Sequence, residues 1–365
     1  MNHAALADFP VFKTLRKPVM LFAVGFCLAV LSPDYVKPAI ARNATNSTVT
    51  ISVGDALPPP PSRNASKAAP APEGADATLL PPSTAAAFPD VHWTLLEPGL
   101  ELGLSILPES RDLNTGAVFA ALRIDPGLHH FSLHMASQTG QARSFPDWSR
   151  ESGLRAGINA SMYLPDNVTS TGYMRNGETL NNKKMGSKLG AFFVAGRRNK
   201  AVAPADILER ESPEWPERLE EYTIVVQNYR LMDSRGKTLW AEGGPLHSIA
   251  AVAKDQSGRI VFLLSQEPLM AEQFARRLRE LPLSLSTVMY VEGGAQAGLF
   301  LHVSGDGAKT LPASFAGATV HAEPDGMTHV WKGRQSLLNT RGNPDALVPN
   351  VIGVRATGKD RPCAQ

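Results

Sequence analysis

Hydrophobic and polar positions divide the chain into stretches of different character. An unbroken apolar run over 18–31 follows the basic residues Lys13, Arg16 and Lys17, and residues 42–92 carry almost no apolar period. From Trp93 to about residue 357, short runs recur between Gly, Pro and Asp-Gly turns. Positions 102–107, 118–124 and 130–135 alternate apolar with polar, which predicts strands with one buried face. Positions 224–227, 249–253, 260–264 and 288–291 are compact apolar runs, which predict central strands covered on both faces. Two segments have a helical period. Ser144 opens 144–152 with a hydroxyl suited to capping orphan backbone donors. Met270, Phe274, Leu278 and Leu281 share one face of a segment that otherwise holds Glu272, Arg276, Arg277 and Arg279. Strands predominate and helices are interspersed, so the pattern predicts an α+β class: a mixed, strand-rich sheet core with a few helices in a single large domain.

The apolar run near the start is short for a spanning helix, which needs about twenty residues. A basic flank, a short apolar core and Ala39-Ile40-Ala41 predict a signal peptide over 1–41, or an uncleaved N-terminal membrane anchor. Phe26 before Cys27 does not make a lipoprotein site. Residues 42–92 include the four-proline run 58–61 and Pro70, Pro72, Pro81, Pro82 and Pro89. Proline removes a donor and fixes φ, and apolar content here is too low to offset ordering entropy, so this segment reads as a disordered Pro/Ala-rich linker. The expected organisation is therefore 1–41 signal or anchor, 42–92 linker, 93–357 domain and 358–365 tail. The implied location is exported: periplasmic, or anchored to the inner membrane facing the periplasm. After residue 41 only Cys363 remains, which cannot form an internal disulfide.

Charge narrows the partners. Thirty-six basic against 34 acidic residues give a net charge of +2, which excludes a strongly basic nucleic-acid binder. Lys183, Lys184 and Lys188 form only a short basic patch, so no nucleic-acid partner is expected. No Walker loop, dinucleotide fingerprint, nucleophile elbow or His-x-x-x-His pair is present. His129, His130 and His134 lie close in sequence, but strand alternation separates His129 from the other two, so no metal ligand set is legible.

Candidate chemistry lies where polar residues and glycines interrupt apolar strands. The run Ala156-Gly-Ile-Asn-Ala-Ser-Met-Tyr163 ends a strand at Asn159, whose amide either fixes a ligand hydroxyl or terminates the strand in a side-chain turn. Gln227 and Asn228 end a second buried run, with Tyr229 and Arg230 after them. His247 and Ser248 begin another, after Gly243-Gly-Pro-Leu; His247 alone reads equally as a structural histidine. The sharpest feature is Met289-Tyr-Val-Glu-Gly-Gly-Ala-Gln-Ala-Gly298. Glu292 closes an apolar strand, and Gly293 and Gly294 let the backbone turn tightly beside it. Partial desolvation raises the pKa of such a carboxylate and suits it to proton transfer, unless it is a turn carboxylate bonded to local amides.

In order, these motifs resemble the phosphodiester glycosidase family: strand-Ile158-Asn159-small-small-aromatic, Gly172, the Arg175-Asn-Gly177 hairpin with Leu180-Asn181, a Gln227-led strand end before Gly236-Lys237, apolar-Glu292-Gly-Gly, and Val348-Pro-Asn-Val-Ile-Gly-Val354. The resemblance spans about residues 93–357. It implies a hydrolase that cleaves the glycosidic bond of a sugar-1-phosphodiester, acting on envelope or exopolysaccharide glycans. Glu292 is then the reacting carboxyl, with Asp166 or Asp125 as a second. Asn159, Gln227 and Asn228 orient sugar hydroxyls, Gly293 and Gly294 admit the ligand, and His247 with Lys188 or Arg230 faces the phosphate. No cofactor is identified, and the family is compatible with a divalent cation. The chain departs from the family pattern at Ala160-Ser161, at Glu292 in place of Asp, at Asn228-Tyr229-Arg230, and at His247 in place of Arg. Losing an arginine weakens bidentate phosphate binding. The competing expectation is a non-catalytic glycan-binding or envelope-assembly protein on the same fold.

Overall fold

Period-two alternation becomes three antiparallel sheets. The first has seven strands, ordered β1 (His92–Glu97), β2 (Leu100–Ser105), β3 (Phe119–Ile124), β13 (Ile260–Leu269), β12 (His247–Asp255), β14 (Leu285–Gly293) and β11 (Arg230–Met232). The second has five: β7 (Thr179–Asn182), β6 (Met174–Asn176), β10 (Tyr222–Asn228), β8 (Ala191–Arg197) and β9 (Ala205–Glu209). The third has six: β16 (Thr319–Glu323), β17 (Gly326–Lys332), β15 (Gly298–Ser304), β5 (Ala156–Asn159), β18 (Asn350–Ala356) and β4 (His129–Met135). The computed structural model describes residues 91–105, 119–305, 317–335 and 342–356. The expected signal or anchor, residues 42–90 of the linker, the tail with Cys363, and positions 106, 107 and 118 lie outside the described residues. Among the described residues no helix is long and apolar enough to cross a membrane.

All three sheets turn one face to a common core. Leu122 and Phe262 from the first, Phe193 and Val226 from the second, and Leu133, Ile158, Leu301 and Ile352 from the third belong to one apolar cluster. Each sheet's other face is covered by one helix. Helix α4 (Ala271–Glu280) sets Phe274 and Leu278 against Phe119, Val261 and Leu263. Helix α2 (Phe145–Ser152) sets Phe145 and Trp148 against Phe300, Val330 and Val351. Helix α3 (Trp215–Glu220) sets Leu219 against Phe192 and Val225.

The two predicted helices form as α2 and α4. The Ser144 hydroxyl accepts from the amide of Asp147 at 3.3 Å, Pro146 sits in the first turn, and Gly153 closes the helix in the left-handed region. In α4 the buried stripe is Ala271, Phe274, Ala275 and Leu278. The short α3 and the single turn α1 (Ala136–Thr139) carry too little period to be read in advance. The expected α+β class with a mixed sheet is corrected to a mostly β protein whose strand pairings are all antiparallel. The compact apolar runs suggested otherwise because the first sheet is covered on both faces, by the core and by α4. Burial on both faces removes alternation whatever the strand direction.

Candidate active site

Glu292 reaches its place through a β-bulge. Ala251 pairs with Tyr290 and Ala250 with Glu292, so Val291 is an extra residue on β14. Simple alternation would put Glu292 on the face opposite Val291; the bulge returns it to the face that carries Ala250 and the common core. The carboxyl is buried, accepts the amide of Gly293 at 2.9 Å, and is pushed up to about 8 by burial, partly offset by that bond and by the Lys332 ammonium.

Lys332 is the residue the sequence reading missed. It ends β17, is 3% exposed, and donates from Nζ to the carbonyl of Gln296 at 2.8 Å. Its ammonium stands 5.2 Å from the centre of the Phe145 ring. Burial pulls its pKa down to about 8, and Glu292 works against that fall. The signal was available in Val330-Trp-Lys-Gly333, an apolar run ending in a charge and a glycine, as Val291-Glu-Gly293 does.

Asn159 fixes the turn between these two groups. Its Oδ1 accepts from the amide of Gly298 at 2.8 Å and its Nδ2 donates to the carbonyl of Gln296 at 3.2 Å. Both halves of the amide are used, so Asn159 positions the 294–298 turn instead of offering a free amide to a ligand. The glycines are required here. A Cβ on Gly293 would stand 2.1 Å from the Tyr290 hydroxyl, and Gly294 has φ of +67°. His247 packs behind this turn: Nδ1 meets the carbonyl of Pro245 at 3.0 Å and Nε2 the Tyr290 hydroxyl at 3.4 Å. Burial lowers its pKa, so it stays neutral and supplies no cation. Tyr163 is pushed up to about 12 by burial and by the charge of Glu292, which places it within reach of that carboxyl's field.

The other expected site residues are distributed elsewhere. Gln227 is saturated, accepting the amides of Tyr173 and Gly186 and donating to the carbonyls of Gly186 and Leu189. It pins the 186–189 loop to β10. Asn228 donates to the carbonyl of Ala160 at 3.3 Å, and its buried Oδ1 has no donor among the described residues. Asn350, whose carbonyl accepts the Ala160 amide, has a buried Oδ1 in the same condition. Two residues with unmet amide oxygens thus bond to the backbone of Ala160, the residue after Asn159. Arg230 is paired with Glu209 and Glu211, which takes it away from a ligand role, and Lys188 is exposed. Asp125 follows Ile124, which lines up across the sheet with Ile260, Lys254 and Thr287. That is roughly 17 Å along the strands from the Ala250–Glu292 row, at about 3.3 Å per residue. Asp166 lies in an exposed turn, holding the amides of Val168 and Thr169. Neither aspartate meets Glu292. The histidine run is also resolved: His129 pairs with Glu97 at 3.1 Å, while His134 touches Ser132 and Ser152 and is held down to about 4, chiefly by burial.

The sequence model of the phosphodiester glycosidase family matches residues 152–355, from the end of α2 through β18 and more than half of the chain. No curated protein matches significantly. Among solved structures, the chain is similar to the catalytic domain of zebrafish N-acetylglucosamine-1-phosphodiester alpha-N-acetylglucosaminidase auto-inhibited by its pro-peptide. That likeness has 9% identity and a TM-score of 0.45, over 74% of this chain and 85% of that one. A hypothetical protein from Synechocystis is similar at 13% identity and a TM-score of 0.44, over 73% of this chain and 64% of that one. The matched span holds every element that builds the Glu292–Lys332 pair except α2's Phe145, and on that match the chain belongs to the phosphodiester glycosidase family.

Proposed function

We propose that this protein hydrolyses the glycosidic C–O bond of a sugar-1-phosphodiester, with Glu292 as the proton-transferring group and Lys332 as the cation that receives the phosphate. The proposed setting is an exported glycan of the envelope or exopolysaccharide. The reading rests on one observation above all: a buried carboxyl and a buried ammonium, each displaced toward a pKa of about 8 and coupled through their charges, both lie at the turn that Asn159 holds. Perturbed pairs of this kind mark sites of proton transfer more often than sites of stability.

At neutral pH the Glu292 carboxyl is mostly protonated. An anionic phosphodiester brought beside it disfavours ionisation further, since like charges oppose each other. Glu292 is therefore suited to donate its proton to the bridging oxygen as the C–O bond to the anomeric carbon breaks. The bond's electron pair leaves with the phosphate monoester, whose growing charge Lys332 balances. Water then captures the oxocarbenium-like carbon and releases a proton. Lys332 takes the role for which His247, neutral and turned to Tyr290, is unsuited.

The test is Glu292→Gln, which keeps the shape and the acceptor for Gly293. Turnover of a sugar-1-phosphodiester is expected to fall by about 10²–10⁴-fold with the fold intact. Unchanged turnover overturns the assignment. Calorimetric binding of the diester by the native protein with no turnover points instead to a glycan-binding protein on this fold.

A further inference from the structure

On the α2-covered face of the six-stranded sheet, away from Glu292, three side chains that the reaction does not use converge. We propose that His302, Glu323 and Asp325 form a site for a divalent cation of the zinc class. One ligand atom from each lies within 4.8 Å of the other two. His302 stands on β15, Glu323 ends β16, and Asp325 lies in the two-residue turn between β16 and β17.

The hydrogen bonds fix the histidine's proton. Thr328 has one hydroxyl proton and directs it to Glu323 Oε1 at 2.5 Å, with Ser149 farther off at 3.4 Å. Its oxygen then accepts, so the 3.0 Å contact with His302 is made by an Nδ1–H donor. In the neutral imidazole that leaves Nε2 as a bare lone pair. It is buried, has no hydrogen-bond partner among the described residues, and lies 3.6 Å from Asp325 Oδ1. The His302 side chain is only 7% exposed. Two acceptors facing each other at that distance call for a positive charge between them.

A cation satisfies all three groups. Ligand atoms about 2.0–2.1 Å from a tetrahedral ion stand about 3.4 Å apart, close to the His302–Asp325 separation. One imidazole nitrogen and two carboxylate oxygens, with water in the fourth position, suit zinc and its neighbours better than calcium or magnesium, which favour oxygen ligands alone. Thr328 behaves as the outer partner of a metal-bound histidine should: it takes the Nδ1 proton and donates to the carboxylate of Glu323. The ion would clamp the β16–β17 turn to β15.

The experiment uses the full chain, stripped with a chelator and titrated with zinc chloride by calorimetry, alongside thermal melts. One saturable equivalent is expected, with the melting temperature rising by about 5–10 °C at a hundredfold excess over Kd. Asp325→Asn, at an exposed position, and His302→Gln should each weaken binding at least tenfold while magnesium produces no shift. His302→Gln risks the fold, and Asp325→Asn then carries the test. The proposal fails if the native protein binds no stoichiometric zinc, as a protonated His302 paired with Asp325 would dictate. It fails equally if folded Asp325→Asn binds with unchanged affinity.

Discussion

Strands β12 and β14 carry charged groups toward both ends, and the two ends treat charge differently. At one end Glu292 is buried with Lys332, and burial displaces both from their ordinary pKa values. At the other, Lys254 pairs with Asp206, which also accepts from Arg218 at 3.2 Å, in a surface depression lined by Trp215, Ser234 and Thr287. Arg230 with Glu209 and Glu211 extends that network. The Lys254 side chain is 28% exposed, whereas Lys332 is 3% exposed. Charges that water and opposite partners share hold loops and strands together. Ionisable groups withdrawn from water are costly to stability and are kept where they serve a reaction, so the surface depression with its many ion pairs is the poorer candidate for chemistry.

The comparison breaks most visibly under paired lysine variants. Lys332→Met should lower kcat/KM for a sugar-1-phosphodiester by about 10–100-fold, the worth of one charge-assisted contact to phosphate. Lys254→Met should leave kcat/KM unchanged and cost about 1 kcal/mol or less, as partly exposed ion pairs do. Equal losses from both variants would erase the distinction between the two ends. Steady-state kinetics with urea unfolding measures both.

A pH profile sharpens it. Raising pH through about 8 removes the proton that Glu292 donates and also the charge on Lys332. Both changes act in the same direction, so kcat/KM should be flat near neutrality and fall at least tenfold per unit above about pH 8. An ascending limb there would make Glu292 a base. In Lys332→Met the limb should move to higher pH, because the ammonium that favours ionised Glu292 is gone, and the steeper second proton loss disappears. The shape of the limb, one proton or two, reports whether both groups act.

Asn159→Ala tests the turn between them. It leaves the Gly298 amide without its Asn159 partner and the Gln296 carbonyl with Lys332 alone, at a cost of about 1–3 kcal/mol, and loosens the segment that Lys332 holds. Activity should fall with stability. Activity kept at a lowered melting temperature would show that Asn159 serves the fold alone.

Much of this architecture was legible in the chain. Strand runs at 224–227, 249–253, 260–264 and 288–291 became β10, β12, β13 and β14, and the helices at Ser144 and Met270 formed where capping and period placed them. Glu292 stood out because a carboxylate between an apolar run and two glycines has few structural reasons to exist. The bulge at Val291 did not, since the extra residue is defined only against its partner strand. Gln227 and Arg230 misled for a related cause. A polar group at a strand end is conspicuous, but whether it faces a ligand or a loop is decided by neighbours distant in sequence: Gly186 and Leu189 for one, Glu209 and Glu211 for the other.

The smallest expected effects fall on the two aspartates that sequence reading offered as a second carboxyl. Asp125 sits near the Lys254 end, where its carboxylate accepts the amide of Gly127 at 2.7 Å. Asp125→Ala should therefore cost about 0.5–1.5 kcal/mol through the turn and leave kcat/KM within about twofold. Asp166 holds Thr169 through its amide and hydroxyl in an exposed turn, which lowers its pKa through those bonds and keeps it ionised. An exposed carboxylate whose pKa is lowered is poorly placed to shuttle a proton, so Asp166→Ala should leave turnover unchanged. If either variant loses activity by more than tenfold at unchanged stability, the reaction has a second carboxyl outside the Glu292–Lys332 end. The contrast between the reacting end and the structural end would then have to be redrawn around it.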